Sequence, residues 1–156
     1  MLTKFQNHLN SNFTQLKDKK LLLAVSGGLD SMVLMHLFQE LNYSIGIAHC
    51  NFQLRGNESD EDENFVKFQA EKFQIPIFST RFETEKFANT NKLSIQLAAR
   101  KLRYDWFYQL LEEENYDYLL TAHHLDDQLE TFLINLSRGT GIEGLTGIPA
   151  TNDKIM

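Results

Sequence analysis

The sequence predicts an α/β fold in which a parallel, doubly wound sheet carries helices on both faces. Three observations predict it. Short apolar runs of strand length alternate with longer stretches of helical spacing, as in successive strand–helix units. The first run, LLLAV, is continuously apolar and lacks the in–out alternation of a half-exposed strand, which marks a strand covered on both sides. Polar clusters at residues 26–31, 49–55 and 122–130 follow three of the runs, where the carboxyl ends of parallel strands receive ligands.

The elements follow in order. Leu2, Phe5, Leu9, Phe13 and Leu16 recur at helical spacing, so an amphipathic helix opens the chain. Residues 21–25 read as a fully buried strand. Residues 31–41 (SMVLMHLFQEL) read as a helix, 44–49 (SIGIAH) as a second strand and 51–57 as a loop. A helix is expected over 59–73, with acids in its first turns that suit the positive end of the helix dipole. Residues 75–79 (IPIFS) form a third strand, with Pro76 near its start, where a proline is tolerated. Ile95, Leu97, Ala98, Leu102, Trp106 and Leu110 trace a long helix over 94–114, with Ser94 as its N-cap. A fourth strand is expected over 116–122 and a further helix over 126–137. RGTGIEGLTGIP then gathers Gly139, Gly141, Gly144 and Gly147 into a loop that is either mobile or shaped for a ligand. There is no internal repeat and no low-complexity linker.

At 156 residues the chain has the size of one domain. Its net charge, 15 − 21 = −6, argues against a surface devoted to nucleic acid. The charge is uneven, however: Glu58, Asp60, Glu61, Asp62 and Glu63 cluster, as do the bases Arg100, Lys101 and Arg103. No apolar run approaches membrane-spanning length and the polar start is no signal peptide, so a cytoplasmic protein without a membrane partner is expected. The single cysteine, Cys50, excludes an internal disulfide and a Cys-x-x-Cys site.

Three stretches carry candidate chemistry. In SGGLDS, Gly27 and Gly28 allow a tight turn and a close ligand approach, Ser26 and Ser31 add hydroxyls, and the next helix aims its amides at the same spot. That describes a phosphate cradle, and Asp30 within it calls for a bridging divalent cation. An ordinary strand–helix turn with a capping serine is the plainer reading. In HHLDDQLET, Asp127 and Glu130 share a helix face and suit either Mg²⁺ or an ammonium group. Helix capping is the plainer reading there. His123 and His124 are adjacent rather than four apart, unlike the histidines of zinc helices. The third stretch, residues 49–56 (HCNFQLRG), reads as a polar loop; Cys50 has no activating base beside it and reads as a buried or half-buried thiol.

SGGLDS after an apolar strand resembles the phosphate-binding motif of the N-type ATP pyrophosphatases, or PP-loop superfamily, whose fold is adenine nucleotide alpha hydrolase-like and Rossmann-like. "AHCNFQLRG", "AARKLRYDWF" and "TAHHLDDQLETFLINLSRGTGIEGLTGI" together resemble the tRNA(Ile)-lysidine synthetases, over roughly residues 20 to 150. The resemblance implies an enzyme, a ligase using ATP and Mg²⁺ whose partners are free L-lysine and tRNA(Ile) with a CAU anticodon. The C2 carbonyl oxygen of the wobble cytidine would attack the α phosphate, pyrophosphate would leave, and the lysine ε-amine would displace AMP to give lysidine. It implies phosphate binding by Ser26, Gly27, Gly28, Leu29, Asp30 and Ser31, and a metal at Asp30. Asp30, Arg103, Asp127 and Glu130 are the implied catalytic residues: Arg103 neutralises phosphate charge, and Asp127 and Glu130 grip the lysine. His49, Arg55, His123 and His124 are implied contacts to lysine or tRNA. The loop at 49–52 departs from the pattern, since many relatives carry a further histidine there.

The family has additional C-terminal domains that help hold tRNA. ATNDKIM ends in mid-pattern, so residues 1–156 are expected to be the catalytic domain of a longer chain. A tRNA thiolase of the same superfamily, or a non-catalytic adenine-nucleotide-binding module, are the alternatives. The thiolases typically need paired cysteines or an iron–sulfur cluster.

Overall fold

The computed structural model describes residues 1–122. The chain there runs through α1 (Leu2–Asn12), a 3-10 turn (Thr14–Leu16), β1 (Lys20–Ala24), α2 (Leu29–Glu40), β2 (Ser44–Asn51), α3 (Asn57–Lys72), β3 (Ile77–Arg81), α4 (Thr84–Asn91), α5 (Ile95–Glu113) and β4 (Tyr118–Thr121). The four strands form one sheet, every pair parallel, in the order β3-β2-β1-β4.

β1 lies inside this sheet and is covered on both faces, which is why its sequence is continuously apolar. Leu21, Leu23 and Val25 enter a core shared with Phe5 of α1, Met35 of α2 and Val66 of α3. Leu22 faces the other way, into a second core with Tyr104, Phe107 and Leu111 of α5. Leu21, Leu22 and Leu23 are fully buried, each contributing roughly 1.5–3 kcal/mol of apolar transfer energy. The sheet is therefore helix-covered on both sides, as the alternating pattern predicts.

The strand order locates the ligand edge. The chain adds β2 and β3 on one side of β1 and then returns to place β4 on the other. At such a reversal the connections leave the sheet in opposite directions, which opens a crevice at the carboxyl ends of the flanking strands.

Several boundaries differ from expectation for identifiable reasons. The opening helix ends at Asn12, because Phe13 leaves helical geometry (φ −134°); the 3-10 turn after it still delivers Leu16 to the core. β2 continues through Cys50 and Asn51, so the expected loop starts later. β3 begins after Pro76, whose ring nitrogen cannot donate to the ladder but whose carbonyl accepts from Ile47 N at 2.8 Å. α4 has no counterpart among the expected elements. The Ser94 cap is present, its Oγ accepting from Leu97 N at 3.2 Å. The helix expected over 126–137 and the glycine-rich loop lie outside the described residues. Among the described residues no helix is long and apolar enough to cross a membrane.

One close approach fixes the far side of the sheet. A Cβ at Gly46 of β2 would lie 2.6 Å from Cζ of the buried Tyr116, so the Tyr116 ring rests against bare β2 backbone. The Lys20 ammonium sits 4.2 Å from the centroid of that ring.

Candidate active site

A cleft of about 520 Å³ opens at the predicted edge, within the size range of small-molecule sites. β1 contributes Ala24, with Val25 just beyond it, β2 Ala48 and Cys50, and β4 Thr121, with Ala122 just beyond it. Ser26, Gly28, Leu29, Asp30 and Ser31 of the SGGLDS turn, Phe52, and Arg103 and Phe107 of α5 complete the lining, from which Gly27 is absent.

The turn is organised by its own serines. Ser31 Oγ donates to Gly28 O at 2.9 Å and accepts from Ser26 N at 3.2 Å; Ser26 Oγ accepts from Gly28 N at 3.3 Å. Gly28 is the N-cap of α2 and provides no side chain, so no side-chain cap satisfies the amides that open the helix. Ser31 therefore braces the turn instead of capping the helix. The first turn of α2 is left facing the cleft as a cluster of N–H groups at the positive end of the helix dipole.

The two glycines have different roles. Gly27 has φ +93°, a conformation that side chains resist, and its α-carbon packs toward Asp62 and Val66 of α3. Gly28 is extended (φ −71°, ψ 162°), and a Cβ there would meet Ser26 Oγ at 3.4 Å. The fold needs glycine at 27; at 28 the absent side chain keeps the cleft open.

Arg103 reaches this cleft from α5, its guanidinium carbon 5.1 Å from the centroid of the Phe52 ring. Asp30 lines the cleft on the side of the turn. Ser26, Gly28, Leu29, Asp30, Ser31 and Arg103 are thus brought to one cavity.

His49 and Arg55 are not among the residues lining it. His49 is buried on the α3 side of β2, with Nδ1 2.7 Å from Val25 O, while Nε2 is buried without a partner among the described residues. The alternation of β2, which runs two residues further than expected, turns Ala48 and Cys50 to the cleft and His49 away. Arg55 is exposed and paired with Asp62 and Glu58. His123, His124, Asp127 and Glu130 lie outside the described residues.

The acids at the start of α3 do more than complement its dipole. Glu63 is buried beneath β2 and β3 and accepts from Asn51 Nδ2 (2.8 Å), Lys67 Nζ (2.7 Å), Ser79 Oγ (3.0 Å) and Arg81 Nε (2.9 Å). Burial alone would raise its pKa. The hydrogen bonds from Lys67, Asn51 and Ser79 and the charge of Lys67 outweigh burial and hold it down at about 2. Asn51 joins strand to helix here, donating also to Asp60 Oδ1 at 2.9 Å.

Cys50 presents its thiol to the cleft, but burial pushes its pKa up to about 12 against the opposing charge of Arg103. It is a neutral thiol at physiological pH and no nucleophile. Phe107 also lines the cleft; it lies four residues beyond Arg103 and so on the same face of α5, a spacing visible in the sequence.

The PP-loop family of ATP-binding domains matches residues 1–156, the whole chain. Among the curated relatives named tRNA(Ile)-lysidine synthase are three from different bacteria. That of Porphyromonas gingivalis is 47% identical over 140 residues, covering 89% of this chain and 31% of the relative. That of Bacteroides thetaiotaomicron is 47% identical over 141 residues, covering 90% and 33%. That of Chlorobaculum tepidum is 43% identical over 157 residues, covering 98% and 47%. The chain spans between about a third and just under half the length of these relatives.

Proposed function

Given that the chain belongs to the PP-loop domain family, we propose that it is the catalytic domain of a tRNA(Ile)-lysidine synthase, which activates the wobble cytidine of a CAU anticodon with ATP and joins it to free lysine. One observation carries the reading: the uncapped first turn of α2 and the guanidinium of Arg103 line the same cleft at the sheet's reversal point.

The division of labour follows from the chemistry. The reaction needs attack at the α phosphorus and departure of pyrophosphate, so negative charge builds on phosphate oxygens. Amides of the 26–31 turn and the Ser26 hydroxyl would hold those oxygens before the reaction, with Ser31 bracing the turn. Arg103, with its planar fork of donors, would neutralise the charge that develops. Among the described residues no three metal-ligating side chains gather into a cage. Mg²⁺ needs no cage, being commonly held by one or two carboxylates, phosphate oxygens and water, and Asp30 beside the turn fits that role. The ion would supply charge neutralisation to the phosphates.

The second step joins nitrogen to C2 of cytidine as the C2–oxygen bond to AMP breaks. The lysine ammonium must first lose a proton, and Asp127 and Glu130 are assigned by family resemblance to grip it and accept that proton. His123 and His124 are assigned to contacts with lysine or tRNA. His49 would act indirectly, through the Val25 carbonyl at the base of the turn, while the exposed Arg55 keeps its assignment to contacts with lysine or tRNA. Cys50, neutral and alone in the sequence, disfavours the thiolase reading.

The test is ATP–pyrophosphate exchange by the whole protein, with and without CAU-anticodon tRNA. Exchange that depends on the tRNA is expected. With Glu130→Gln, single-turnover analysis should reveal accumulated adenylated tRNA and little lysine incorporation. ATP binding without any pyrophosphate release would replace this reading with that of a non-catalytic nucleotide-binding module.

A further inference from the structure

We propose that Phe52 is a positioning residue that holds the Arg103 guanidinium in place over the cleft. The inference rests on the role given to Arg103 above. A long cationic side chain acts at a fixed point only if something restrains it. Among the described residues no carboxylate forms an ion pair with Arg103. Its guanidinium donates to the hydroxyl of the neighbouring Tyr104 and lies over the Phe52 ring, at 5.1 Å, where the negative face of the ring attracts a cation.

Phe52 is itself immobilised. Its carbonyl accepts from Oγ1 of the buried Thr84 at 2.8 Å. The residue before it, Asn51, is tied to Asp60 and Glu63 and accepts from Gln53 N at 2.9 Å through its own side chain. The residue after it, Gln53, takes a left-handed turn (φ +54°) and donates from Nε2 to Phe82 O at 3.0 Å. The Phe52 ring stacks on Phe82 with centroids 5.6 Å apart and planes 27° apart. Phe82 in turn meets Trp106 edge-on at 6.3 Å. Trp106 lies three residues after Arg103 on α5, so it and Arg103 lie near one another on that helix and rest on the same pair of rings. The ledge thus sets both the spacing of α5 from the β2 loop and the placement of the cation.

A double-mutant cycle tests the proposal, with exchange kinetics measured on the whole protein and its tRNA. Phe52→Leu removes the ring and keeps apolar bulk. It should lower kcat roughly tenfold with much less change in KM for ATP, because a displaced guanidinium costs most where charge develops. Phe52→Tyr, which restores a ring, should recover most of kcat. In an Arg103→Ala background, Phe52→Leu should add almost nothing. If Phe52→Leu leaves kcat unchanged, or costs the same factor with and without Arg103, the positioning role is overturned and the role of Arg103 stands. If Arg103→Ala alone is silent, the reading of Arg103 falls and the inference with it. Melting temperatures accompany each variant, and Phe52→Met replaces Phe52→Leu should the latter fail to fold.

Discussion

At the scale of single residues, adjacent glycines make opposite predictions. Gly27→Ala forces a side chain into positive φ and should cost about 1–2 kcal/mol of stability by urea denaturation. Gly28→Ala sits in ordinary extended geometry and should leave stability almost unchanged while weakening ATP binding by calorimetry. Equal effects on both quantities in both variants would contradict the division of roles. Glu63 gives a pH prediction. Its folded pKa of about 2 lies below the ordinary 4.5, so its contribution is fully present above about pH 4.5 and fades as pH falls toward 2. That contribution is on the order of 3 kcal/mol. Glu63→Gln should be markedly less stable than the parent at pH 7, and the gap should narrow at pH 3. His49 illustrates what a residue cannot reveal alone: a histidine in a polar stretch suits a substrate loop, yet its strand continues two residues further and turns it inward. The strand continues because Asn51 finds acids on α3, partners 9 and 12 positions away whose proximity only the folded helix creates.

At the scale of elements, legibility tracked how far local pattern decides the outcome. β1 was readable because burial on both faces leaves nothing but apolar residues, and α5 because a long periodic stretch follows a serine cap. α4 was not, since Phe87 and Ala88 are too few apolar residues in Thr84–Asn91 to set a period; its place comes from Thr84 anchoring to Phe52 and from packing on α5. The aromatic ledge was equally hidden, because Phe52, Phe82 and Trp106 come from three separate segments. Register between elements yields a further prediction. Gly46→Ala would drive a methyl group into the buried Tyr116 ring and should destabilise the sheet by about 2 kcal/mol, measured by chemical denaturation. Pairing it with Tyr116→Phe, which removes the hydroxyl but keeps the ring, should recover only part of the loss.

For the whole molecule, the strand order dictates where ligand binding is felt. Because the cleft joins β1, β2, β4 and α5, a nucleotide held there ties both cores together. At a hundredfold excess over its Kd, ATP should stabilise the fold by about 2.7 kcal/mol and raise Tm by roughly 5–10 °C. The increment should need Mg²⁺ and shrink in Asp30→Asn. An unchanged Tm in saturating Mg-ATP would mean that the folded protein does not bind the nucleotide. The cleft also holds Cys50, the single cysteine of residues 1–156. Cys50 is half-buried in the wall and its proton is held until about pH 12, so the protein should tolerate air and mild oxidants without crosslinking. The same trait makes it an occupancy gauge. Slow alkylation by a small maleimide reports on one position in the entire chain, and nucleotide seated against that wall should slow it further, giving a footprint of binding that needs no turnover and no tRNA.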